Sequence, residues 1–377
     1  MAISGNIIGL MSGTSLDGLD IAFCRFESVE GVWNYRILNA ETIPYPEEWQ
    51  TRLRNLDRGS AAELAQTDCD LGHWMGKMAS EFMERHRIRA EFIASHGQTI
   101  FHQPALRWTT QIGNGAAIAA ETRLPVVCDF RSTDVALGGQ GAPLVPIGDK
   151  LLFSNFNYCL NLGGFANISF DRKETRIAYD ICPANMVLNT LANKTGKAYD
   201  DKGDLARTGS LLPSLLHSLN QLPYYQHPPP KSLGKEWVEN NIRTILEVYL
   251  TDTRYAIRDA RNQIQRPESR VQDPGSRIQD LLATFSEHIA IQIGKNTGSD
   301  PEDTLLISGG GALNEFLVER IRHYSTPQVV IPDIQTIHFK EALIFAFLGL
   351  LRWNQEINIL SSVTGAKRDS VGGAIYL

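Results

Sequence analysis

The sequence predicts an α/β protein with two similar domains, and two observations lead to this prediction. First, short apolar runs alternate along the chain with stretches of helical periodicity, which is the pattern of α/β folds. Second, residues 6–24 and 158–170 share one arrangement, in which two apolar runs flank a turn that contains glycine. Such a stretch predicts a β-hairpin, so both halves of the chain begin alike. A length of 377 residues suits two domains of about 100–200 residues each.

The first hairpin carries residues that suit a phosphate and a metal ion. Two glycines in its turn permit a close approach of the backbone. The hydroxyl groups of Thr14 and Ser15, together with backbone N–H groups, could face a phosphate. Asp17 and Asp20 could hold Mg²⁺, because that ion prefers oxygen ligands. An ordinary hairpin with a polar turn explains the same residue types, and composition alone favours that explanation.

The rest of the first half supplies further strands and helices. Strands are predicted at residues 35–42, 91–95 and 124–128, and helices at 61–86 and 116–122. The strand at 91–95 runs into His96 and Gln98, and the strand at 124–128 runs toward Arg131. The Gly/Pro-rich segment 137–146 is predicted to pass from one domain to the other.

The second half repeats the pattern and ends near the first. Its hairpin turns at Gly163 and Gly164, and a strand at 303–308 leads into three glycines at 309–311. A triple-glycine turn lets a flat ring or a phosphate approach the backbone, although a tight turn is the more common reason for it. Helices are predicted at 281–295, 315–323 and 339–353, a surface loop at 262–280, and a last strand at 371–377 that returns to the first domain.

Composition and charge exclude several classes of protein. A hydrophobic content of 43% with 21% charged residues fits a globular protein, and a formal net charge of −6 argues against nucleic acid or an anionic membrane as partner. The five cysteines are scattered and form no Cys-x-x-Cys pair, so we expect reduced thiols in the cytoplasm. We expect neither a signal peptide nor an apolar run that spans a bilayer. The chain has no Gly-x-x-x-x-Gly-Lys-Ser/Thr run, which excludes a P-loop kinase.

Residues 11–20, Met-Ser-Gly-Thr-Ser-Leu-Asp-Gly-Leu-Asp, closely resemble the N-terminal signature of the anhydro-N-acetylmuramic acid kinases. These enzymes belong to the superfamily of sugar kinases, actin and chaperone ATPases. Further stretches match the family in its own order, namely 96–99, 129–131, 138–146, 161–169, 230–234, 309–311 and 362–365. The resemblance implies two duplicated actin-like, ribonuclease H-like domains that flank a central cleft. We place the first at 1–145 plus about 360–377 and the second at 146–359.

The resemblance also implies a reaction. A water molecule attacks the anomeric carbon of 1,6-anhydro-N-acetylmuramic acid and opens the bridge, and the freed 6-oxygen takes the γ-phosphoryl group of ATP. The products are N-acetylmuramic acid 6-phosphate and ADP, which belongs to the recycling of cell-wall murein. The cofactors are ATP and Mg²⁺, and the partners are small molecules, with a homodimer left open.

Asp180 matches the aspartate of the family motif Tyr/Phe-Asp-Thr-Gly-Pro-Gly-Asn, which implies that it is the general base for the water. The motif reads Tyr-Asp-Ile-Cys-Pro-Ala-Asn here, so residues 181, 182 and 184 depart from it. Without the resemblance, an aspartate after a strand is more often a helix cap. Glu341 lies where the family has a Glu-Ala pair, which implies a role in placing the sugar or polarising water on Mg²⁺; a charge at a helix N-terminus explains it equally well.

The remaining assignments follow from the resemblance as well. Arg131 would pair with the lactyl carboxylate of the sugar, since a guanidinium matches a carboxylate, although a surface ion pair is the commoner role. The sugar site would contain His96, Gln98, Arg131, Asn185 and Lys231. The nucleotide site would contain Gly13, Thr14, Ser15, Leu16, Asp17, Gly18, Leu19, Asp20, Gly163, Gly164, Gly309, Gly310 and Gly311, with Asp17 and Asp20 on the metal.

Two other functions stay open on the sequence. The altered segment 181–184 allows a sugar- or nucleotide-binding protein with weakened catalysis on the same fold. A kinase for another anhydro sugar, such as levoglucosan, fits the same motifs, because likeness of fold cannot settle the substrate.

Overall fold

The computed structural model describes residues 3–13, 16–173, 175–251 and 274–377. The chain forms two compact units, which we call unit 1 and unit 2. Unit 1 consists of Met1–Ser154, Arg172–Ile177 and Ile334–Leu377, and unit 2 of Asn155–Asp171 and Ala178–Asp333. Unit 2 is therefore inserted into the sequence of unit 1.

The strands alternate with helices, as the sequence predicts. The strands are β1 (Ile3–Ser12), β2 (Gly18–Val29), β3 (Val32–Pro44), β4 (Phe92–Ser95), β5 (Gln98–Gln103), β6 (Trp108–Ile112), β7 (Val126–Cys128), β8 (Tyr158–Leu162), β9 (Phe165–Arg172), β10 (Thr175–Pro183), β11 (Thr304–Ser308), β12 (Gln328–Val330) and β13 (Ala374–Tyr376). The α-helices are α1 (Glu47–Asn55), α2 (Ala61–His86), α3 (Gly115–Thr122), α4 (Ser132–Ala136), α5 (Val145–Leu152), α6 (Asn185–Asn193), α7 (Asp204–Thr208), α8 (Pro213–Asn220), α9 (Lys235–Trp237), α10 (Thr244–Thr251), α11 (Pro274–Asn296), α12 (Glu315–Tyr324), α13 (Ile334–Trp353) and α14 (Ser361–Thr364). A π-helical stretch, Val238–Arg243, joins α9 to α10.

The two main sheets have the same strand order, which confirms the predicted duplication. The sheet of unit 1 runs β13-β7-β4-β1-β2-β3, and the other runs β10-β9-β8-β11-β12. In each, the first strand pairs antiparallel with the second (β1 with β2, β8 with β9) and parallel with the fourth (β1 with β4, β8 with β11). This 3-2-1-4-5 order is that of the ribonuclease H-like fold. The last strand, β13, pairs with β7, so the chain end returns to unit 1 as expected.

The sheet of unit 1 is covered on both faces. Successive side chains of β1 point to opposite faces of the sheet, so the strand contacts both layers. Ile8 and Leu10 pack into one core with Leu71 and Met75 of α2. On the other face, a Cβ atom at Gly9 would overlap the carbonyl oxygen of Ala342 in α13. The helix therefore lies directly against the backbone of β1.

The structure corrects the predicted domain boundaries in three places, one of which is Arg172–Ile177, a segment of unit 1 within the predicted second domain. Helix α13 packs against β1, β2 and β4, so residues 334–359 belong to unit 1 and not to the second domain. The first unit also extends to Ser154 rather than 145, and the segment 137–146 lies within it instead of passing between domains. The β5–β6 hairpin was not predicted, and most of the loop expected at 262–280 lies outside the described residues.

Helix α13 also corrects the expectation that no apolar run is long enough for a membrane. Among the described helices, Ile334–Trp353 passes that test of length and composition, with a mean hydropathy of 1.4. However, 72% of this window is buried inside the protein, and the helix contacts five strands of the sheet, β1, β2, β3, β4 and β7. These contacts identify it as a core helix.

Candidate active site

Polar residues collect where the parallel strands of unit 1 end. Strand β1 ends at Ser12, β4 leads into His96, and β7 is followed closely by Arg131. Because β1, β4 and β7 run parallel, their carboxyl ends meet at one edge of the sheet. This edge is the candidate site of unit 1.

The turn after β1 is tight and backbone-lined. The N–H of Leu16 donates to the carbonyl oxygen of Gly13 over 3.2 Å, and Leu16 has a φ of +60°. A Cβ atom at Gly18 would lie 2.5 Å from the carbonyl oxygen of Ile43, so a side chain does not fit there. Leu19 is fully buried and can offer a ligand only its backbone. Thr14 and Ser15 lie outside the described residues.

Asp20 lies at the start of β2 among charged neighbours. Thr42 donates its hydroxyl to Asp20 Oδ1 over 2.5 Å. Burial raises the pKa of Asp20 above its usual value, whereas the Thr42 hydrogen bond and His338 lower it and the nearby Asp17 raises it further. Asp17 itself is exposed. No group of three or more His, Cys, Asp or Glu suited to a metal occurs in the described part of the chain, so these two carboxylates stand as a pair.

Arg131 is held by its neighbours in a single position. Its Nε and one Nη donate to Nε2 of His96 over 3.1 and 2.8 Å, and the other Nη donates to the carbonyl oxygen of Gly141 over 2.6 Å. Gly141 has a φ of +65°, and its N–H donates to the buried Asp134 over 2.7 Å. The Gly/Pro-rich segment 137–146 therefore holds Arg131 in place, and this contact ties the segment to unit 1.

His96 and Gln98 are buried, with 5% and 3% exposure. The Nδ1 atom of His96 lies 2.7 Å from the carbonyl oxygen of Gly97, and its other ring nitrogen accepts from Arg131. Gln98 Oε1 accepts from the hydroxyl of Ser12 over 2.5 Å, and Ser12 also bonds Tyr45 over 2.9 Å. Both residues thus support other groups at the strand ends.

Glu341 lies on α13 beside these groups. Its side chain is accessible to solvent, yet the surrounding protein raises the pKa of its carboxyl, against the opposing charge of Arg131. The adjacent Lys340 is buried and forms an ion pair of 2.7 Å with the buried Asp149. This pair ties α13 to α5 directly beside Glu341.

Three segments, two of which contain glycine, meet at the corresponding edge of unit 2. The N–H groups of Ala184 and Met186 at the start of α6 donate to Gly164, and that of Asn185 donates to Gly163. The Asn185 side chain donates to the carbonyl oxygen of Leu162 over 3.0 Å. The third segment, 309–311, follows β11, the parallel neighbour of β8.

The triple glycine leaves an open backbone surface. A Cβ atom at Gly309 would overlap Asn161, and one at Gly311 would lie 2.6 Å from the side chain of Leu162. At Gly310 no described atom lies within 4 Å of that position. The segment therefore packs on β8 by its first and third glycines and presents the middle one to solvent.

Asp180 lies near the end of β10 with its carboxylate held from one side. The N–H of Leu233 donates to Oδ2 over 2.8 Å, and the hydroxyl of Tyr224 donates to the backbone carbonyl over 2.6 Å. No hydrogen bond from the described residues reaches Oδ1. Burial raises the pKa of Asp180, and the Leu233 hydrogen bond opposes this. The carboxylate is thus oriented, with one oxygen available.

Lys231 lies beside the same strand. Its ammonium is 4.7 Å from the ring centroid of Tyr224 and 5.8 Å from that of Tyr179. Burial lowers its pKa. Ile181, Cys182 and Ala184, the positions that depart from the family motif, are fully buried, so these side chains do not reach a ligand.

Several residues that support the candidate site side chains were not predicted from the sequence. They are Ser12, Tyr45, Gly141, Tyr224, Leu233 and His338. Most act through backbone groups or lie far in sequence from the side chain they support, so no local motif marks them. A signal did exist for His338, since it precedes Glu341 by three residues and therefore shares its helix face.

Comparison with known proteins gives the family. The family model "Anhydro-N-acetylmuramic acid kinase" matches residues 5–377. Proteins of that name from Sulfurovum sp. (strain NBC37-1) and Vibrio cholerae serotype O1 are 31% and 34% identical to the chain, each over 98% of it and over 98% and 97% of their own lengths. A third, from Coxiella burnetii (strain RSA 493), is 34% identical over 98% of the chain and 96% of its own.

Solved structures give only distant likenesses. The activator of the 2-hydroxyisocaproyl-CoA dehydratase from Clostridium difficile matches with a TM-score of 0.38 and 11% identity, over 94% of this chain and 97% of that one. Likeness at this level establishes neither fold nor function. The match of the family model and the three relatives, by contrast, extends over nearly the whole chain, and on that ground the chain belongs to the anhydro-N-acetylmuramic acid kinase family.

Proposed function

We propose that the protein is an ATP-dependent kinase that opens the 1,6-anhydro ring of anhydro-N-acetylmuramic acid by hydrolysis and phosphorylates the 6-oxygen. Water adds to the anomeric carbon, the bond from that carbon to the bridging oxygen breaks, and the freed oxygen takes the γ-phosphoryl group while ADP leaves. The observation that carries the proposal is membership of the family over residues 5–377. We place the enzyme in the cytoplasm, where it would recycle cell-wall murein.

Asp180 is the general base in this proposal. A base must approach its proton within about 2.6–3.2 Å, and Oδ1 is the oxygen left for this task because Oδ2 accepts from Leu233. A raised pKa makes the ionised carboxylate a stronger base. The proton of the attacking water goes to Oδ1. The alternative role as a helix cap has no support in the hydrogen bonds of Asp180, since Ala184 occupies the cap position of α6.

The glycine turns of both units are proposed to bind ATP. The backbone at Gly13–Gly18 and at Gly163–Gly164 would face the phosphates, because N–H groups in such turns attract anions. The segment 309–311 would lie against the adenosine, and Gly310 has the open surface that this requires. Phosphoryl transfer depends mainly on positioning and charge compensation, which backbone donors supply without reorganisation.

Asp17 and Asp20 would hold Mg²⁺. Their oxygen ligands fit this ion, and two carboxylates are enough because Mg²⁺ usually keeps several waters and binds substrate phosphates. The bound ion would compensate charge on the phosphates. The exposed Asp17 and the half-buried Asp20, kept in place by Thr42, support this assignment.

Arg131 is proposed to bind the lactyl carboxylate of the sugar, and Glu341 to place the sugar beside it. Asn185 and Lys231 would contribute from unit 2. The earlier reason for a weakened binding protein was the altered segment 181–184. Because these side chains are buried in unit 2, the altered residues are no argument against catalysis.

A coupled ADP-release assay with anhydro-N-acetylmuramic acid, ATP and Mg²⁺ tests the proposal. We expect turnover that depends on the sugar, with a product that carries a reducing end and a 6-phosphate by mass spectrometry. Levoglucosan in parallel separates the substrate classes, since it has the anhydro bridge but neither the acetamido nor the lactyl group. The proposal would be overturned if levoglucosan were turned over and anhydro-N-acetylmuramic acid were not, or if ADP release did not depend on the sugar.

A further inference from the structure

Arg131 in unit 1 rests against a histidine where buried arginines usually rest against a carboxylate. Two N–H groups of Arg131 converge on one nitrogen, Nε2 of His96, at 3.1 and 2.8 Å. A third donates to Gly141 over 2.6 Å. An arginine has five N–H groups, so two are left without a partner among the described residues.

The partners of His96 fix its tautomer and its charge. The carbonyl oxygen of Gly97, 2.7 Å from Nδ1, can only accept, so Nδ1 carries the proton. Nε2 must then be unprotonated, because it accepts from two guanidinium N–H groups. Burial and the charge of Arg131 lower the pKa of His96 to about 3, which agrees with a neutral ring at every working pH. The imidazole packs against Phe345, with ring centroids 4.6 Å apart, and this contact fixes its plane.

We infer that His96 is a positioning residue that orients Arg131 without itself cancelling any of its positive charge, which then serves the carboxylate of the sugar. This inference rests on the proposed function and replaces the expected contact of His96 with the sugar. A carboxylate in place of His96 would hold the guanidinium equally well, but it would cancel the charge. The neutral acceptor fixes one edge of the guanidinium and leaves two N–H groups and the charge for the ligand.

The charges around Arg131 explain why a neutral acceptor is needed at the position of His96. Glu341 already lies close enough to interact with Arg131 electrostatically, and a second carboxylate in the place of His96 would leave a net negative site. An anionic sugar would then be repelled. The histidine therefore selects for a substrate with a carboxylate, which distinguishes N-acetylmuramic from N-acetylglucosamine derivatives.

The first test compares two sugars on one variant. In His96→Ala we expect kcat/KM for anhydro-N-acetylmuramic acid to fall at least tenfold, mainly through KM, because Arg131 loses its orientation. For 1,6-anhydro-N-acetylglucosamine, which lacks the lactyl carboxylate, we expect a change below threefold from the parent value. A merely structural role would lower both equally, and equal losses would overturn the inference.

The second test separates orientation from charge. His96→Gln retains an acceptor and should recover part of the loss, whereas His96→Glu also accepts from Arg131 but should bind the carboxylated sugar at least tenfold more weakly than the parent. Binding is measured by calorimetry with the sugar, and the affinity for AMP-PNP and the melting temperature report folding. If His96→Glu is folded and binds as well as the parent, the charge argument is wrong.

A matched control is His102→Ala. His102 also lies near the charge of Arg131, but it bonds Thr109 over 3.0 Å and is exposed. We expect both sugars to behave as with the parent. If the parent itself fails to turn over the carboxylated sugar, the proposed function fails. If the parent works and His96→Ala keeps its kcat/KM, only this inference fails.

Discussion

At the scale of single residues, the candidate site depends on carboxylates and one arginine that are held by backbone groups and by a few side chains. Asp180 is oriented by the N–H of Leu233, and Arg131 by the carbonyl of Gly141 and the neutral ring of His96. The family motifs in the sequence suggested Asp180 and Arg131, and their roles stay predictions. The sequence could not predict their supports, because a backbone donor such as the N–H of Leu233 has no signature in the residue type.

Asp180→Asn removes the proposed base with little change in shape. We expect turnover to fall by at least about 100-fold, since a general base contributes about 10²–10⁴ in rate. The affinity for ATP should stay within twofold. Steady-state assays and nucleotide titration measure both, and Asp204→Asn on the exposed surface of unit 2 is the control. Activity within about tenfold of the parent, ~1.4 kcal/mol in barrier, would show that another group accepts the proton.

The pH dependence of the reaction should report the same carboxyl group. Burial raises the pKa of Asp180, and the base works only when ionised, so activity is lost as the pH falls through this raised value. We expect the acidic limb of kcat/KM to lie above the usual aspartate pKa of about 3.9. A pH–rate profile of the free enzyme measures it. A limb at or below the usual value would contradict a buried base.

At the scale of elements, helix α13 connects the core of unit 1 to its site. It carries His338 and Glu341 near its start, and its next residues pack against β1. The strands and long helices were predicted well because their apolar periodicity is strong, as in α2, whose bounds at 61–86 match. The assignment of α13 to the wrong domain arose because periodicity shows that a helix is buried, not which sheet buries it.

Gly9→Ala tests the close packing of α13 on β1. The new Cβ atom would overlap the carbonyl oxygen of Ala342, and overpacking of this kind costs about 1–3 kcal/mol. We expect a lower midpoint in urea and a lower kcat, because the displaced turn contains Glu341. Gly59→Ala is the control, since the atoms nearest its new Cβ, a carboxylate oxygen of Glu63 and the carbonyl oxygen of Leu56, both lie 3.3 Å away and do not overlap it. Equal stability of both variants would mean that the helix shifts without strain.

Asp149→Asn tests the buried ion pair that ties α5 to α13. The change removes the negative charge 2.7 Å from the ammonium of Lys340, where both side chains are only 6% exposed. Breaking a buried pair by removing one partner costs about 3–5 kcal/mol, because the buried ammonium loses its paired carboxylate. Urea unfolding measures the loss. Glu319→Gln, which breaks the exposed pair with Arg207, should have a much smaller effect, and a similar shift in the two variants would contradict the argument.

At the scale of the whole molecule, the duplicated strand order explains why both units place polar residues and glycine turns at the same edge of their sheets. The sequence predicted this duplication from two hairpins that share a pattern but few letters. It could not predict that unit 2 is inserted at Asn155 and that the chain returns at Ile334, because those boundaries fall in short connections without a compositional change.

Proposed ligand groups in both units lead to a prediction about coupling. Because the proposal assigns Arg131 of unit 1 and Asp180 and Gly310 of unit 2 to these ligands, we expect the sugar and AMP-PNP to tighten each other's binding at least threefold. Calorimetric titration of each ligand, with and without the other, measures this reciprocal factor. If each ligand binds with the same affinity in the presence and absence of the other, the expected coupling is absent.

The insertion of unit 2 also sets the order in which the protein can be completed on the ribosome. Strands β1, β2 and β4 are synthesised early, but the helix that covers them begins only at Ile334. At a synthesis rate of about 5–20 residues per second, the apolar face of these strands stays uncovered for tens of seconds. By then the last residue of unit 2, Asp333, has been synthesised. Stalled nascent chains that end near residue 333 should therefore resist protease in unit 2 and be cut in unit 1. We therefore expect the part of the chain that is made first to complete its fold last.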